Sequence, residues 1–129
     1  MAGETALDTS IAIRYLNGDQ AVGAKVDALP TVVLPLTVVG ELLFGAENSG
    51  RPLQNIARYL RFIDACVVVP MGRETAVSYS RTRLALKRKG RPIPENDIWL
   101  AAQCLENDWK LATDDSDFSY VDLLVVEHW

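Results

Sequence analysis

The stretch Thr31-Val-Val-Leu-Pro-Leu-Thr-Val-Val-Gly-Glu41 contains the two patterns that decide the fold of this chain. Residues 31–34 form a β-branched, apolar run, which is typical of a strand that is buried on both faces. Residues 37–47 then have the spacing of a helix that stops near Asn48-Ser49-Gly50. A buried strand that leads almost directly into a helix predicts a parallel sheet with helices packed on it.

The same alternation extends outward from this stretch in both directions. The predicted strands are 5–7, 31–34, 66–69, 110–113 and 123–126, and the predicted helices are 10–17, 37–47, 53–63, 73–89 and 98–105. No repeat, low-complexity tract or domain linker interrupts the pattern. We therefore predict an α/β fold, a single-domain α/β/α sandwich with a mainly parallel sheet over residues 1–129.

Length and composition agree with one ordinary globular domain. The chain has 129 residues, of which 49% are hydrophobic and 23% charged. No apolar run approaches the roughly 20 residues that span a bilayer, and the N-terminus lacks a signal-peptide pattern, so we expect a cytoplasmic protein without membrane contact. Cys66 and Cys104 lie in apolar surroundings, which favours reduced core thiols over a disulfide or metal ligands.

The charge distribution is uneven. A net charge of −4 argues against a protein that coats nucleic acid non-specifically. A basic segment nevertheless stands out, formed by Arg81, Arg83, Lys87, Arg88, Lys89 and Arg91. Such a segment would hold a phosphate backbone beside an acidic pocket. The alternative is a solvated helix end, where cations are favoured by the helix dipole.

The histidine content excludes several kinds of chemistry. His128 is the only histidine in the sequence. A histidine-rich zinc site and a nuclease with paired histidines are therefore excluded, and the position of His128 next to the C-terminus argues against a Ser-His-Asp triad. Any catalysis would have to depend on carboxylates and a metal ion.

Acidic residues occur at four places beside predicted strand ends or in first helical turns. They are Asp8, Glu41, Asp97 and the loop that contains Asp114, Asp115 and Asp117. Open parallel sheets bind ligands beyond the carboxyl ends of their strands. Carboxylates gathered there would repel one another unless a cation neutralised them, and hard divalent cations prefer oxygen ligands. The pattern therefore indicates a metal site assembled from distant parts of the chain.

Each acidic position also has a purely structural explanation. Asp8 could cap the next helix, with Ser10 as a competing cap, and Asp97 could simply stabilise a helix dipole. The last acidic loop could be solvated. If Thr37 is the N-cap, Glu41 falls at the fourth helical position, one beyond that of a capping box, which leaves a solvated glutamate as the alternative.

The ordered set of short segments resembles a known family. The segments are Leu7-Asp-Thr-Ser-Ile11, Thr37-Val-Val-Gly-Glu-Leu-Leu-Phe-Gly45, Ile93-Pro-Glu-Asn-Asp-Ile-Trp-Leu-Ala-Ala102, Leu111-Ala-Thr-Asp-Asp-Ser-Asp-Phe118 and the end of the chain from Leu123 to Trp129. In this order and at this length they resemble the PIN-domain nucleases. The resemblance is closest to the VapC-type toxins of prokaryotic toxin–antitoxin pairs.

This resemblance implies a function and a set of site residues. The function is a Mg²⁺- or Mn²⁺-dependent endoribonuclease that cleaves RNA by metal-activated water and leaves a 5′-phosphate. The implied catalytic residues are Asp8, Glu41, Asp97 and Asp115. The metal ligands are Asp8, Asp97 and Asp115, with Asp117 as a further contributor, and Thr9, Ser10 and Thr113 support them. If the function is correct, the residues of the basic segment that would bind RNA are Arg81, Arg83, Lys87 and Arg88.

The resemblance also implies partners, which are a cognate antitoxin protein and a second copy of the chain in a homodimer. Two rival functions share parts of this pattern. A phosphate-accepting receiver domain needs an Asp after its third strand, where this chain has Pro70-Met71. A catalytically inactive PIN-fold module that acts through a protein partner is the remaining alternative.

Overall fold

A computed structural model describes residues 3–129 of the chain. The sheet has five parallel strands in the order β3-β2-β1-β4-β5. The elements are β1 (Thr5–Leu7), α1 (Thr9–Leu16), α2 (Gln20–Asp27), β2 (Val32–Pro35), α3 (Leu36–Glu47), α4 (Pro52–Asp64), β3 (Val67–Val69), α5 (Arg73–Lys89), α6 (Glu95–Asn107), β4 (Lys110–Thr113), a 3₁₀ helix (Ser116–Tyr120) and β5 (Val126–His128).

The strand order explains where a ligand site can form. From β1 the chain moves outward through β2 to β3 on one side, and it returns through α5 and α6 to add β4 on the other side of β1. Because crossovers between parallel strands are right-handed, the helices that connect β1, β2 and β3 lie on one face of the sheet, and the helices that lead from β3 back to β4 lie on the other. The predicted α/β/α fold with a parallel sheet is therefore confirmed. The order reverses between β1 and β4, which is the point where such sheets open a crevice at their carboxyl ends.

The central strands carry the core. All three residues of β1 are buried, as are three of the four in β2 and in β4. This agrees with the prediction that the runs are apolar because both faces of the sheet are covered. No helix among the described residues, 3 to 129, is long and apolar enough to cross a membrane.

Most predicted helices begin and end within two or three residues of their observed limits. The prediction for α5 was right at both ends, and Gly90 follows it in the left-handed conformation, with φ 66°. The prediction for α3 was wrong at its start. Pro35 takes the N-cap position in place of Thr37, so Glu41 is the sixth helical residue and lies beyond the first turn.

Two features of the chain were predicted wrongly or not predicted. The last strand is Val126–His128, not residues 123–126, because Leu123 adopts a positive φ of 67° and is 92% exposed. Pairing with β4 therefore starts only where the Val125 carbonyl accepts a bond from the Leu111 N–H, at 2.9 Å. Helix α2 was not predicted, although Asp19 caps it through the Val22 N–H at 3.0 Å.

One buried polar side chain fixes α6 against the ends of the strands. Gln103 is fully buried; its Oε1 accepts a hydrogen bond from the Leu36 N–H at 3.0 Å, and its Nε2 donates to the Val69 carbonyl at 2.8 Å. These bonds join α6 to the start of α3 and the end of β3. Since Glu41 lies on α3 and Asp97 on α6, they also fix the relative positions of two candidate site residues.

Candidate active site

Asp8 lies at the reversal point of the sheet, directly after β1. Its Oδ1 accepts a hydrogen bond from the Thr9 N–H at 2.8 Å, and its Oδ2 accepts one from the Thr113 hydroxyl at 2.7 Å. The side chain thus sits at the N-cap position of α1 and also contacts the residue that ends β4. Helix capping and a place at the strand ends, which the sequence offered as alternatives, occur together.

The surroundings of Asp8 disfavour its charged form. Burial raises the pKa of its carboxyl group above the usual range, and the hydrogen bonds from Thr113 and Thr9 only partly oppose this effect. The charges of Glu41 and Asp115 raise it further. Asp8 is therefore a buried carboxylate surrounded by other carboxylates.

Thr113 connects the central strand to the last acidic loop. It is fully buried, and its hydroxyl donates to Asp8 while it accepts a hydrogen bond from the Asp115 N–H at 3.0 Å. A single hydroxyl thus sets the position of two predicted site residues. The sequence indicated Thr113 as a supporting residue but not this double contact.

The three aspartates of the last loop have different environments. Asp115 Oδ1 accepts from the Asp117 N–H at 2.9 Å and begins the 3₁₀ helix. Asp114 is exposed and faces α1, where it accepts from the Ser10 hydroxyl at 2.8 Å and pairs with Arg14 at 3.5 Å. Asp114 is therefore already paired outside the cluster, whereas Asp115 and Asp117 are half-buried.

Glu41 approaches the site from α3. Its Oε1 accepts a hydrogen bond from the Thr9 hydroxyl at 3.1 Å. The helix dipole favours an acidic side chain in the first turn of a helix. Glu41 is the sixth residue of α3 and lies beyond that turn. Neither a capping box nor the helix dipole therefore explains the position of Glu41. Its observed contact is with Thr9, the residue that follows Asp8.

Asp97 brings the candidate site together. It lies half-buried in the first turn of α6. Burial raises the pKa of Asp97 to about 7, and four neighbouring carboxylates contribute to this rise: Asp8, Asp115, Glu41 and Asp117. Since charges act on one another strongly only at close range, the acidic residues predicted from four separate segments lie in one cluster.

The donor chemistry of this cluster fits a divalent cation. All of its charged groups are carboxylates, the oxygen ligands that hard ions prefer. Within residues 3–129 none of these five carboxylates forms an ion pair, and no three acidic, histidine or cysteine side chains, as they are placed, could hold a metal ion. A bound cation would relieve the repulsion that raises the pKa of Asp97, and would draw the carboxylates together.

Two polar residues of α1 near Asp8, Arg14 and Tyr15, are engaged in bonds with other parts of the chain. Arg14 binds Asp19 at 3.1 Å and the Trp129 carbonyl at 2.9 Å, in addition to Asp114. The Tyr15 hydroxyl donates to Asp27 at 3.1 Å. Arg14 therefore joins α1 to the acidic loop, a role that no local sequence pattern indicates because its partners are distant in sequence.

The predicted basic residues lie along α5, and helical spacing divides them between two sides. Arg81 lines a cavity of about 760 Å³ between α5 and the 120–123 loop, and Arg88 is seven residues further along the same side. Arg83 and Lys87 are four residues apart on another side, where Arg83 pairs with Glu95 at the start of α6, at 3.5 Å. The cavity beside Arg81 is lined by the far end of α6, at residues 105–107, whereas Arg83 contacts its first turn, where Asp97 lies.

Comparison with known proteins identifies the class. Residues 5–124 match the PIN domain, so the chain belongs to the PIN-domain family. It is 28% identical over 117 residues to ribonuclease VapC5 of Mycobacterium tuberculosis, covering 90% of this chain and 86% of that protein. Ribonucleases of this family generally depend on divalent metal ions.

Two solved structures extend this likeness to the fold. VapBC-1 from nontypeable Haemophilus influenzae is 26% identical, with a TM-score of 0.87 and 97% of each chain covered. VapBC-5 from Mycobacterium tuberculosis, a member of the VapBC family of toxin–antitoxin systems, is 25% identical, with a TM-score of 0.74 and coverage of 99% of this chain and 98% of that one. The predicted likeness to VapC-type PIN ribonucleases is confirmed.

Proposed function

We propose that this chain is a divalent-metal-dependent endoribonuclease and the toxin of a toxin–antitoxin pair. The carboxylate cluster around Asp97 carries the proposal, because the burial and the mutual repulsion that raise the pKa of Asp97 are both effects that a bound cation would offset. Ribonuclease VapC5 is similar over most of its length, and VapBC-5 belongs to a toxin–antitoxin family. We propose that residues 1–129 form one PIN domain; the structure describes residues 3–129 of it.

The proposed ligands follow from the charges and contacts around the site. Asp8, Asp97 and Asp115 would hold the ion directly, with Asp117 as a further contributor. Magnesium or manganese fits an all-oxygen donor set. When bound, such an ion activates water for attack on a phosphodiester and stabilises the charge that develops on the phosphate.

The remaining predicted residues position the ligands. Glu41, held by the Thr9 hydroxyl, would act through a water molecule or orient the nucleophile. Thr113 orients both Asp8 and Asp115, whereas Ser10 holds Asp114 and so acts on the loop from outside the cluster. These bonds tie the proposed ligands to α1 and β4, so the positions of Asp8 and Asp115 are set by the fold.

The wider proposal concerns partners and location. Single-stranded RNA would follow the basic side of α5, with Arg83 and Lys87 nearest to the start of α6 and Arg81 and Arg88 further away. A cognate antitoxin protein, a homodimer and a cytoplasmic location complete the proposal. They rest on the likeness to proteins of the VapBC family.

The chemistry of cleavage provides the test of this function. Purified protein should cut RNA in the presence of Mn²⁺ or Mg²⁺, and EDTA should abolish cleavage. Attack by water does not need the 2′-hydroxyl, so a substrate with one 2′-deoxy nucleotide at the cleavage site should still yield a 5′-phosphate. Sequencing and mass spectrometry of the product ends give the measurement.

Two outcomes would contradict the proposal. Products with a 2′,3′-cyclic phosphate, together with no cleavage of the deoxy substrate, would show that internal attack operates instead. A protein that binds its partner and cleaves no RNA at any metal concentration would favour the inactive binding module. Asp8→Asn serves as the control, since any residual cleavage in that variant belongs to a contaminating nuclease.

The difference between Asp114 and Asp115 gives a sharper prediction. Asp115→Asn should lower Mn²⁺ affinity by more than about tenfold, because it removes a proposed ligand. Asp114→Asn should change that affinity by less than about threefold, because Asp114 is an exposed residue already paired with Arg14. Calorimetric titration with Mn²⁺ measures both variants. An equal loss in the two would show that Asp114 also binds the ion.

A further inference from the structure

Two aromatic side chains form a stacked pair where α5 meets the start of α6. The Tyr79 and Trp99 ring centroids are 3.9 Å apart and their planes differ by 13°. The Tyr79 hydroxyl hydrogen-bonds to Glu95, which lies one helical turn before Trp99 on the same side of α6. The pair is therefore fixed in orientation by both helices.

The two rings differ in their relation to the core. Tyr79 is one of the partly buried side chains that pack against the hydrophobic core, whereas Trp99 is partly exposed and, in the described part of the chain, is not among them. The inward side of α6 is filled by other residues: Ile98, Leu100, Ala101, Ala102 and Cys104. Trp99 thus forms the outer layer of the stack, and the core does not need its indole ring.

Positive charge accompanies this stack. Arg83 Nη1 donates to the Tyr79 hydroxyl at 2.7 Å, and its guanidinium carbon lies 5.9 Å from the centre of the Tyr79 ring. Glu95 is the carboxylate that faces this guanidinium, at 3.5 Å, and both side chains are more than half exposed. Lys87 lies one turn beyond Arg83 on the same side of α5. Aromatic rings beside arginine and lysine are the combination that binds unpaired nucleotides.

The stack and the carboxylate cluster share the first turns of α6. Asp97 and Trp99 are two residues apart, so they project from opposite sides of the helix, separated by about its 10–12 Å diameter. A single strand that crosses the N-terminal end of α6 would contact both. One phosphate would then lie at the carboxylates while a neighbouring base reached the indole ring.

We propose that Trp99, supported by Tyr79, is a stacking platform for one unpaired base of the RNA next to the scissile phosphate, with Arg83 and Lys87 contacting the adjoining backbone. This inference rests on the proposed ribonuclease function. It assigns the platform to substrate binding and not to metal binding, so the two can be tested separately.

The experiment compares Trp99→Leu and Trp99→Phe with the protein that retains Trp99. The probe is a short unstructured RNA of mixed sequence and a set of copies that each lack one base. The background is Asp8→Asn, which removes cleavage. Trp99→Leu should weaken binding of the intact RNA about tenfold, within the range for loss of one stacked base, whereas Trp99→Phe should retain most of the affinity.

The abasic copies locate the contact. At one position, loss of the base should weaken binding by the protein that retains Trp99 about tenfold. The Trp99→Leu variant should bind this copy and the intact RNA equally, because it has already lost the stacking contact. If Trp99→Leu and removal of a base weaken RNA binding independently at every position, so that their effects on the binding free energy add, the proposal is overturned. Tyr120→Leu is the matched control, because Tyr120 forms a similar pair with Arg91, 4.7 Å from its ring centre, elsewhere on the surface.

A second measurement keeps the proposal falsifiable if Trp99→Leu does not fold. The Trp129→Phe variant keeps two tryptophans, Trp99 and Trp109. Trp109 is only 2% exposed, so a bound RNA that quenches tryptophan fluorescence in this variant acts on Trp99. Intact RNA should quench this fluorescence, and the copy lacking the stacked base should quench it less. Equal quenching by both would overturn the proposal.

Two controls separate this inference from other outcomes. Stabilisation of the wild-type protein by Mn²⁺ should be unchanged in Trp99→Leu. If the wild-type protein neither binds Mn²⁺ nor cleaves RNA, the proposed function itself fails; if it does both and Trp99→Leu binds RNA normally, only the platform fails. Loss of a dimer in Trp99→Leu, seen by sedimentation, would assign the stack to a protein interface and overturn the proposal.

Discussion

Replacing Asp97 by asparagine is expected to lower metal-dependent RNA cleavage by on the order of 10³-fold, the upper range for loss of one electrostatic contributor to a transition state. The reason is that Asp97 is a proposed ligand of the cation that would stabilise the charge developing on the phosphate. Initial cleavage rates at saturating Mn²⁺ give the measurement. Asp64→Asn, an exposed change at the end of α4, should keep wild-type activity.

The same substitution should stabilise the metal-free protein at high pH. The pKa of Asp97 is about 7 in the folded protein and near 3.8 when unfolded, so the folded state binds more protons between these values. The free energy of unfolding should therefore fall as the pH rises from 4 to 7. In EDTA at pH 8, Asp97→Asn should be more stable than wild type by about 2 kcal/mol, after allowance for partial exposure.

Urea unfolding from pH 4 to pH 8 in EDTA measures this effect. The two proteins should be similar in stability at pH 4 and should diverge as the pH rises. Saturating Mn²⁺ should narrow the difference at pH 8, because the ion stabilises the wild type more than the variant. A wild-type stability that does not decline from pH 5 to pH 8 would show that the carboxylates do not repel one another as described.

Thr113→Val is expected to destabilise the protein and to impair cleavage at the same time. The change removes the donor to Asp8 and the acceptor for the Asp115 N–H, and each group left unpaired in a buried site costs about 1–3 kcal/mol. We expect a total loss of roughly 3 kcal/mol in the free energy of unfolding. Misplacement of two ligands should also lower Mn²⁺ affinity by about 10–100-fold.

Two substitutions serve as controls for this prediction. Thr113→Ser keeps the hydroxyl and should restore most of the Mn²⁺ affinity, with only the smaller cost of a lost methyl group. Thr82→Val changes another buried threonine, on α5, and should leave Mn²⁺ affinity unchanged. Normal Mn²⁺ binding by Thr113→Val would show that the hydroxyl does not position the ligands.

The sequence predicted those parts of the fold that produce a local pattern. The helix at 73–89 was predicted at both ends because Gly90 is a clear stop, and the buried strands were predicted from β-branched runs. Helix α2 was not predicted because Gly23 lies inside it and its only large apolar residues are Val22 and Val26, whereas the equally short α1 contains Ile11, Ile13 and Leu16. The last strand was misplaced because an apolar run does not show that Leu123 turns the backbone into a left-handed conformation.

The acidic residues of the site were predictable for a related reason, whereas their hydrogen-bond partners were not. Asp8 and Asp115 follow strands and Asp97 opens a helix, positions that can be recognised locally. The bonds from Thr9 to Glu41 and from Ser10 to Asp114 join residues 32 and 104 positions apart. No short-range pattern contains that information, so the pairing of Asp114 and the different surroundings of Asp115 became evident only from the structure.

The reversal of strand order between β1 and β4 has a consequence for the timing of activity in the cell. Thr113 and Asp8 are 105 residues apart, and the ribosome adds roughly 5–20 residues per second from the N-terminus. A nascent chain that has already folded β1, β2 and β3 still lacks β4 and the loop after it, and hence has an incomplete set of carboxylates. Translation therefore leaves an interval of several seconds in which β1 has been made but the last carboxylates of the site have not, so the nascent chain cannot yet cut RNA.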